Sequence, residues 1–74
     1  MAEVEGAGAP LDVIAHSLQR ERARAGLSLT EVARRAGVAK STLSQLESAT
    51  GNPSIETMWA LSTALGVPFS QLLD

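Results

Sequence analysis

The chain has no cysteine and no tyrosine, a single histidine, one tryptophan and one phenylalanine. Without cysteine there is no disulfide framework, and one histidine leaves no plausible zinc set. The missing thiols suit a reducing, cytoplasmic compartment. No apolar run approaches the length of a membrane span, and MAEVEGAGAP at the start lacks the basic and apolar regions of a signal peptide. With so few aromatics, most of the 45% apolar content falls to Ala, Leu and Val, which suggests a small helical domain with close helix contacts. At 74 residues the chain makes one domain, near the lower end of what folds without a staple.

A surplus of positive charge is also lacking: the formal net charge is −2. Its distribution matters more than its sum. All six basic residues (Arg20, Arg22, Arg24, Arg34, Arg35 and Lys40) lie between positions 20 and 40. Five of the eight acids (Glu3, Glu5, Asp12, Glu56 and Asp74) lie outside residues 20–47. Overall acidity therefore does not exclude DNA, and the pattern predicts one modestly positive face.

Residues 1–10 are small, Gly-rich and acidic, without periodicity, and are expected to form a flexible tail. The domain is expected over 11–74. Leu11, Ile14, Ala15, Leu18, the stem of Arg22 and Ala25 follow helical spacing over 11–25, and Gly26 ends that helix. Ser28 and Glu31 form a capping-box sequence, with the serine capping and the glutamate reaching back. The second helix then runs over about 29–36 with Leu29, Val32, Ala33 and Ala36 inward, and Gly37 stops it. A third helix is expected over about 40–49 with Leu43 and Leu46 inward. After the turn at 51–54, Ser54 caps a fourth helix over about 55–65 that buries Ile55, Met58, Leu61 and Leu65. Gly66 ends it, and Pro68 opens a last turn or two carrying Phe69, Leu72 and Leu73. The fold class expected is all-α, a compact frame of five short helices.

Residues 29–48 hold the constellation that points to a function. Two helices meeting at a steep angle need a small residue where their backbones approach, and Ala33 sits there. The turn between them needs a residue that tolerates positive φ, and Gly37 supplies it. The second helix needs apolar anchors three apart, and Leu43 and Leu46 provide them. Alanine, glycine four on, then apolar residues six and nine beyond is the helix-turn-helix pattern. The outward face of the third helix is Ser41, Ser44, Gln45 and Ser48, an i, i+3, i+4, i+7 stripe of uncharged hydrogen-bonding side chains.

The stretch LSLTEVARRAGVAKSTLSQLES…NPSIETMWALSTALGV resembles the DNA-binding domain of the phage Cro and lambda-repressor (XRE) family of transcription factors, over about residues 13–73. The wording STLSQLE…NPSIETMWALSTALGVPF is most similar to bacterial regulators in which this domain precedes a small-molecule-sensing cupin domain. The chain stops just past the last helix, as an excised domain would. The resemblance implies a recognition helix in the major groove, with Lys40, Ser41, Ser44, Gln45 and Ser48 meeting base edges: Gln suits adenine, Ser is permissive, and Lys40 suits guanine or a phosphate. It implies phosphate contacts from Ser28, Thr30, Thr42, Asn52 and Ser54, helped by backbone N–H groups at helix N-termini. Arg20, Arg24, Arg34 and Arg35 are candidates to add charge nearby. It implies a homodimer on a palindromic operator of double-stranded DNA, no cofactor, and an effector bound only by a further C-terminal domain.

Several of these residues have plainer roles. Ser28 and Ser54 are helix caps first, Arg34 and Arg35 belong to a solvated face, and Ala33 and Gly37 are structural. Arg22 and Glu47 match family positions that pair beneath the recognition helix. His16 falls off the apolar stripe and is expected to face solvent; Met58 is core; Trp59 lies at the core margin or in a subunit contact. Two positions depart from the family. Ala39 replaces a capping Ser or Thr before the third helix. Ala49 replaces a glycine after it, so that either Ala49 turns left-handed or the helix runs on and turns at Gly51. An enzyme is not expected, since there is neither a phosphate-binding Gly-rich loop nor a carboxylate pair at catalytic spacing. The competing expectation is a protein–protein interaction module on the same frame, antitoxin-like or binding another regulator.

Overall fold

A computed structural model of the chain describes residues 11–73; the expected tail over 1–10 and Asp74 lie outside the described residues. Helix α1 spans Leu11–Ala25, α2 Leu29–Ala36, α3 Lys40–Glu47 and α4 Ile55–Leu65, and a 3-10 helix over Phe69–Leu73 follows. The expected frame of five helices is thus corrected to four α-helices and a closing 3-10 turn. The last element is short and follows a proline, and it closes through an i→i+3 bond, Gln71 N to Pro68 O at 2.9 Å. Side chains of α1 hold it from outside: Arg20 Nη2 donates to the Gln71 carbonyl at 3.2 Å, and Gln71 Nε2 donates to Glu21 Oε2 at 3.1 Å.

Each α-helix ends in the same way. The residue after its last turn takes a left-handed conformation, at Gly26, Gly37, Ala49 and Gly66. The next amide then reaches back to the carbonyl five residues earlier: Leu27 to Arg22, Val38 to Ala33, Thr50 to Gln45 and Val67 to Ser62, at 2.9–3.2 Å. Of the two alternatives at the end of α3, the first holds: Ala49 has φ 61°. Helix α3 therefore stops at Glu47, two residues short of the expected end, and Ser48 is its C-cap. Gly51 serves another need. A Cβ there would lie 2.9 Å from Leu46 Cδ2 and 3.4 Å from Gln45 Cβ, so the returning chain needs a residue without a side chain.

The helix starts follow the cap signals in part. Ser28 accepts from the Glu31 amide and Ser54 from the Thr57 amide, each with an extended cap backbone. Ala39 has the same extended backbone and no side-chain bond to give. The reciprocal half of the capping box is replaced by another bond, since the Glu31 carboxylate accepts from Arg34 and Arg35 instead.

The core is Ile14, Leu18, Val32, Ala33, Leu43, Leu46, Met58, Leu61 and Leu72, drawn from all five elements. Helix α1 packs on α3 and on the 3-10 helix; α2 packs on α3 and α4. Three expected core positions are corrected. Leu11 is 39% exposed at the first turn of α1, Ala25 is exposed at its last, and Ile55 is 74% exposed at the start of α4. The inward side of α4 is instead Met58, Leu61 and Ser62 with Leu65 partly buried, while Ile55 and Trp59, four apart, share a flank. Ser62 is buried because its hydroxyl donates to the Trp59 carbonyl at 2.8 Å.

Ala49→Gly is expected to stabilise the chain by about 0.5–1 kcal/mol, the left-handed penalty of an L-residue less the added freedom of the unfolded glycine. Ala39→Ser, which gives the Thr42 amide an acceptor, is expected to add about 1 kcal/mol. Urea unfolding of both single variants and the pair checks this, and the two gains should sum because they sit at opposite ends of α3.

Candidate nucleic-acid interface

Helix α3 divides cleanly. Leu43 and Leu46 are buried at 0% and 2% exposure, and Glu47 is buried beside them, whereas Lys40, Ser41, Ser44, Gln45 and Ser48 are all exposed. Thr42 is half-buried at the boundary. The structure thus brings the five expected base-reading residues to one solvent face. That face carries one charge, on Lys40, at the first residue of the helix.

The opposite end of α3 is fastened to α1. Arg22 Nε donates to Glu47 Oε2 at 2.7 Å and Nη2 to Oε1 at 2.9 Å, a two-point pairing of a planar fork with a carboxylate. Arg22 Nη1 also donates to the Leu27 carbonyl at 3.3 Å, so one guanidinium ties α1, the α1–α2 turn and α3 together. The Glu47 side chain is 8% exposed and that of Arg22 27%. The hydrogen bond to Glu47 raises the Arg22 pKa above its ordinary value, against the opposing effect of burial. Gln19 Nε2 meets the Glu47 carbonyl at 2.6 Å, a bond that the spacing of the chain did not announce.

The expected phosphate-contacting residues Ser28, Thr30, Asn52 and Ser54 are exposed. The Ser28 and Ser54 hydroxyls are already engaged in capping, Ser28 Oγ to the Glu31 amide at 3.0 Å and Ser54 Oγ to the Thr57 amide at 3.1 Å. Ser54 also donates to Thr57 Oγ1 at 2.9 Å.

The arginines expected to supply a positive face are committed elsewhere. Arg20 and Arg24 both pair with Glu21, Arg22 with Glu47, and Arg34 and Arg35 with Glu31. Lys40 is the one basic side chain without an ion-pair partner among the described residues. Two arginines share Glu21 and two share Glu31, so the excess charge of residues 20–47 is divided among α1, α2 and the start of α3. Gln71 first, then Arg20 and Arg24, hold the buried Glu21 carboxyl below its ordinary range despite burial. Arg34 first, then Arg35, lower the Glu31 carboxyl from 4.5 to about 2.

His16 faces solvent as expected, Met58 is core, and Trp59 is 60% exposed with its ring 5.7 Å from that of Phe69. Among the described residues no group of His, Cys, Asp or Glu is arranged to hold a metal ion. Ser17 and Glu21 are buried, and their polar character concealed this.

Residues 18–72 match the model of the Helix-turn-helix family. The chain belongs to that family. This helix-turn-helix domain is 36% identical over 58 residues to the HTH-type transcriptional regulator SutR of Escherichia coli, covering 78% of the domain and 33% of SutR. It is 41% identical over 63 residues to the HTH-type transcriptional regulator SinR of Bacillus subtilis, covering 84% of the domain and 57% of SinR. The domain therefore spans about a third and somewhat over half of these two relatives. Among solved structures it resembles the restriction-modification controller protein C.AhdI from Aeromonas hydrophila, with a TM-score of 0.81, 27% identity, and coverage of 84% of the domain and 94% of that chain. It also resembles the hypothetical transcription factor NHTF from Neisseria, with a TM-score of 0.84, 29% identity, and coverage of 88% and 75%. The Cro and lambda-repressor-like resemblance stands at family level, while the finer likeness to cupin-bearing regulators finds no support in these comparisons. As a domain of a transcription-regulator family it is not an enzyme.

Arg22→Met leaves the Glu47 carboxylate buried without its cation and is expected to cost about 3 kcal/mol in urea unfolding. Adding Glu47→Leu should recover most of that loss, since two apolar partners strand no charge. Glu31 has a folded pKa below its unfolded one, so its contribution is complete above about pH 4.5 and fades as pH falls toward about 2. The melting temperatures of the wild type and Glu31→Gln should accordingly differ at pH 6, with the difference shrinking as pH falls toward about 2. A constant difference across that range would refute the ion-pair origin.

Proposed function

We propose that the domain binds double-stranded DNA sequence-specifically, as the DNA-reading part of a bacterial transcription regulator in the cytoplasm. One observation carries this reading: the exposed face of α3 is uncharged beyond Lys40, and the buried face of that helix is fixed to α1. Exposed surface that only has to stay solvated is rich in Lys and Glu, whereas serine and glutamine carry no net charge and have much hydrogen-bonding capacity. In the major groove, Gln45 fits the paired donor and acceptor of adenine, Ser41, Ser44 and Ser48 accept either sense, and Lys40 meets guanine or a phosphate. Ser28, Thr30, Thr42, Asn52 and Ser54 would set the register against the backbone, assisted by the N-terminal amides of α2 and α4. The chain acts as a homodimer on a palindromic operator with half-sites about one DNA turn apart. It needs no cofactor, and the effector belongs to a domain outside this chain, in keeping with the greater length of SutR and SinR.

A second reading, a protein-binding module on the same frame, has one feature in its favour. Ile55 and Trp59 present an apolar flank on α4, at 74% and 60% exposure. Salt separates the two readings, because phosphate contacts weaken with a slope near 0.9 per neutralised phosphate and an apolar interface hardly responds.

Selection of random-sequence duplexes by this chain at fixed salt is expected to yield a paired, palindromic motif. Gln45→Ala should then lose about 1–3 kcal/mol of discrimination at one base pair per half-site, with non-specific affinity unchanged. Lys40→Gln should weaken every duplex alike if Lys40 meets a phosphate, and lower the salt slope by about 0.9 per half-site. Binding to a protein partner with a flat salt response and no enriched motif would favour the second reading.

A further inference from the structure

The end of α3 has a complete hydrogen-bond account, and one term in it comes from another helix. The Ser48 amide donates to the Ser44 and Gln45 carbonyls at 3.1 Å, the Ala49 amide to Leu46 at 3.2 Å and the Thr50 amide to Gln45 at 2.9 Å. Thr50 Oγ1 adds a third donor to the Gln45 carbonyl at 3.1 Å. The left-handed turn at Ala49 swings the chain away and leaves the last carbonyl of the helix, that of Glu47, without a main-chain donor among the described residues. Gln19 Nε2 fills this place at 2.6 Å, across 28 residues of sequence. The same residue takes the Arg22 fork through its side chain, so Glu47 is gripped at both backbone and carboxylate by residues three apart on α1.

We infer that Gln19 is a positioning residue for DNA reading: it fixes the angle at which α3 presents Gln45 and Ser48, without touching DNA itself. The inference rests on the DNA-binding function proposed above. Its physical basis is a difference between the two grips. The Arg22–Glu47 pair joins two side chains, each with rotatable bonds, and so tethers α3 while leaving some freedom of tilt. A hydrogen bond to the backbone of the last helical residue removes a turn of the helix from that freedom. The alanine at position 49 makes this more important, because a left-handed alanine is a weaker stop than the glycines at the other three helix ends. Base edges are read at hydrogen-bond precision, so a small tilt at Ser48 costs discrimination before it costs overall attraction. Gln19 itself is exposed, so changing it does not disturb the core.

The test uses three chains, the wild type, Gln19→Met and Gln19→Lys, and the duplex selected from a random pool beside a scrambled one. Methionine keeps the length and removes the donor; lysine restores a donor. The quantity read is the ratio of affinities for the two duplexes at one salt concentration, which cancels added charge. Gln19→Met is expected to lower that ratio about three- to tenfold with little change in scrambled-duplex affinity, and Gln19→Lys to return it toward the wild-type value. An unchanged ratio in Gln19→Met, or a loss that lysine leaves unrescued, overturns the positioning role. A wild-type ratio of one for every duplex overturns the DNA-reading function itself, and the positioning role with it. Amide exchange at Ser48, Ala49 and Thr50 in the free chains then shows whether the grip on α3 exists independently: faster exchange in Gln19→Met supports the grip, and equal rates refute it.

Discussion

The part-buried two-point pair between Arg22 and Glu47 is the constraint on which the rest of the arrangement depends. It joins α1 to α3, and Arg22 adds the α1–α2 turn through the Leu27 carbonyl. Among the described residues, a core cluster of nine buried side chains, all of them Leu, Val, Ile, Met or Ala, is small. Aliphatic contact alone has little directional preference, so a core of that kind tolerates small rotations of an eight-residue helix. A planar fork on a carboxylate has a defined geometry and limits them, and the Gln19 bond to the Glu47 carbonyl limits the tilt that remains. The pair's value for stability is modest against an apolar replacement. Its value for orientation is what α3 needs.

The charges follow a related logic. Five arginines in a chain of net charge −2 would suggest an electrostatic platform, yet every one of them is bound to a glutamate of its own or a neighbouring helix. Glu21 and Gln71 join α1 to the closing 3-10 helix, Glu47 joins α1 to α3, and Glu31 stays within α2. Residues 19–22 of α1 are thus divided between two partners: Gln19 and Arg22 hold α3, and Arg20 and Glu21 hold the 3-10 helix. Most of the basic charge is spent on architecture, and one lysine is left at the start of the exposed stripe.

Much of this was legible in the sequence. Gly26, Gly37 and Gly66 marked helix ends because a left-handed turn has few other occupants, and Ser28 and Ser54 marked starts because a hydroxyl there satisfies an orphan amide. The alanine–glycine–leucine–leucine spacing located the helix pair of the motif, and the outward stripe followed from it. Other features depended on information that spacing does not contain. Leu11, Ala25 and Ile55 fit the apolar period but sit at helix ends, where the neighbouring element no longer reaches, so the period overcounted the core. Ser17, Glu21 and Ser62 are buried, Glu21 with Gln71 as a partner distant in the chain and Ser62 with the Trp59 carbonyl one turn back, and polarity alone predicted the opposite. Glu31 had two competing uses, the cap and the arginines one turn on, and the stronger charge-assisted bonds prevailed. Gln19 gave no signal, since its role exists only once α1 and α3 are side by side. The comparisons establish the family, and the roles of individual residues on the α3 face are tested by the variants proposed.

The single tryptophan occupies an unusual place for so small a domain. Trp59 is 60% exposed on the flank of α4, next to Ile55 and tilted against Phe69, rather than sealed in the core. Its indole therefore samples water in the folded chain, and its emission should change little when the core alone is perturbed. Covering that flank, by any molecule, would shift the emission to shorter wavelength and shield it from a soluble quencher. The chain carries a built-in optical reporter that is nearly silent on folding and responsive to association, and no label has to be introduced to use it.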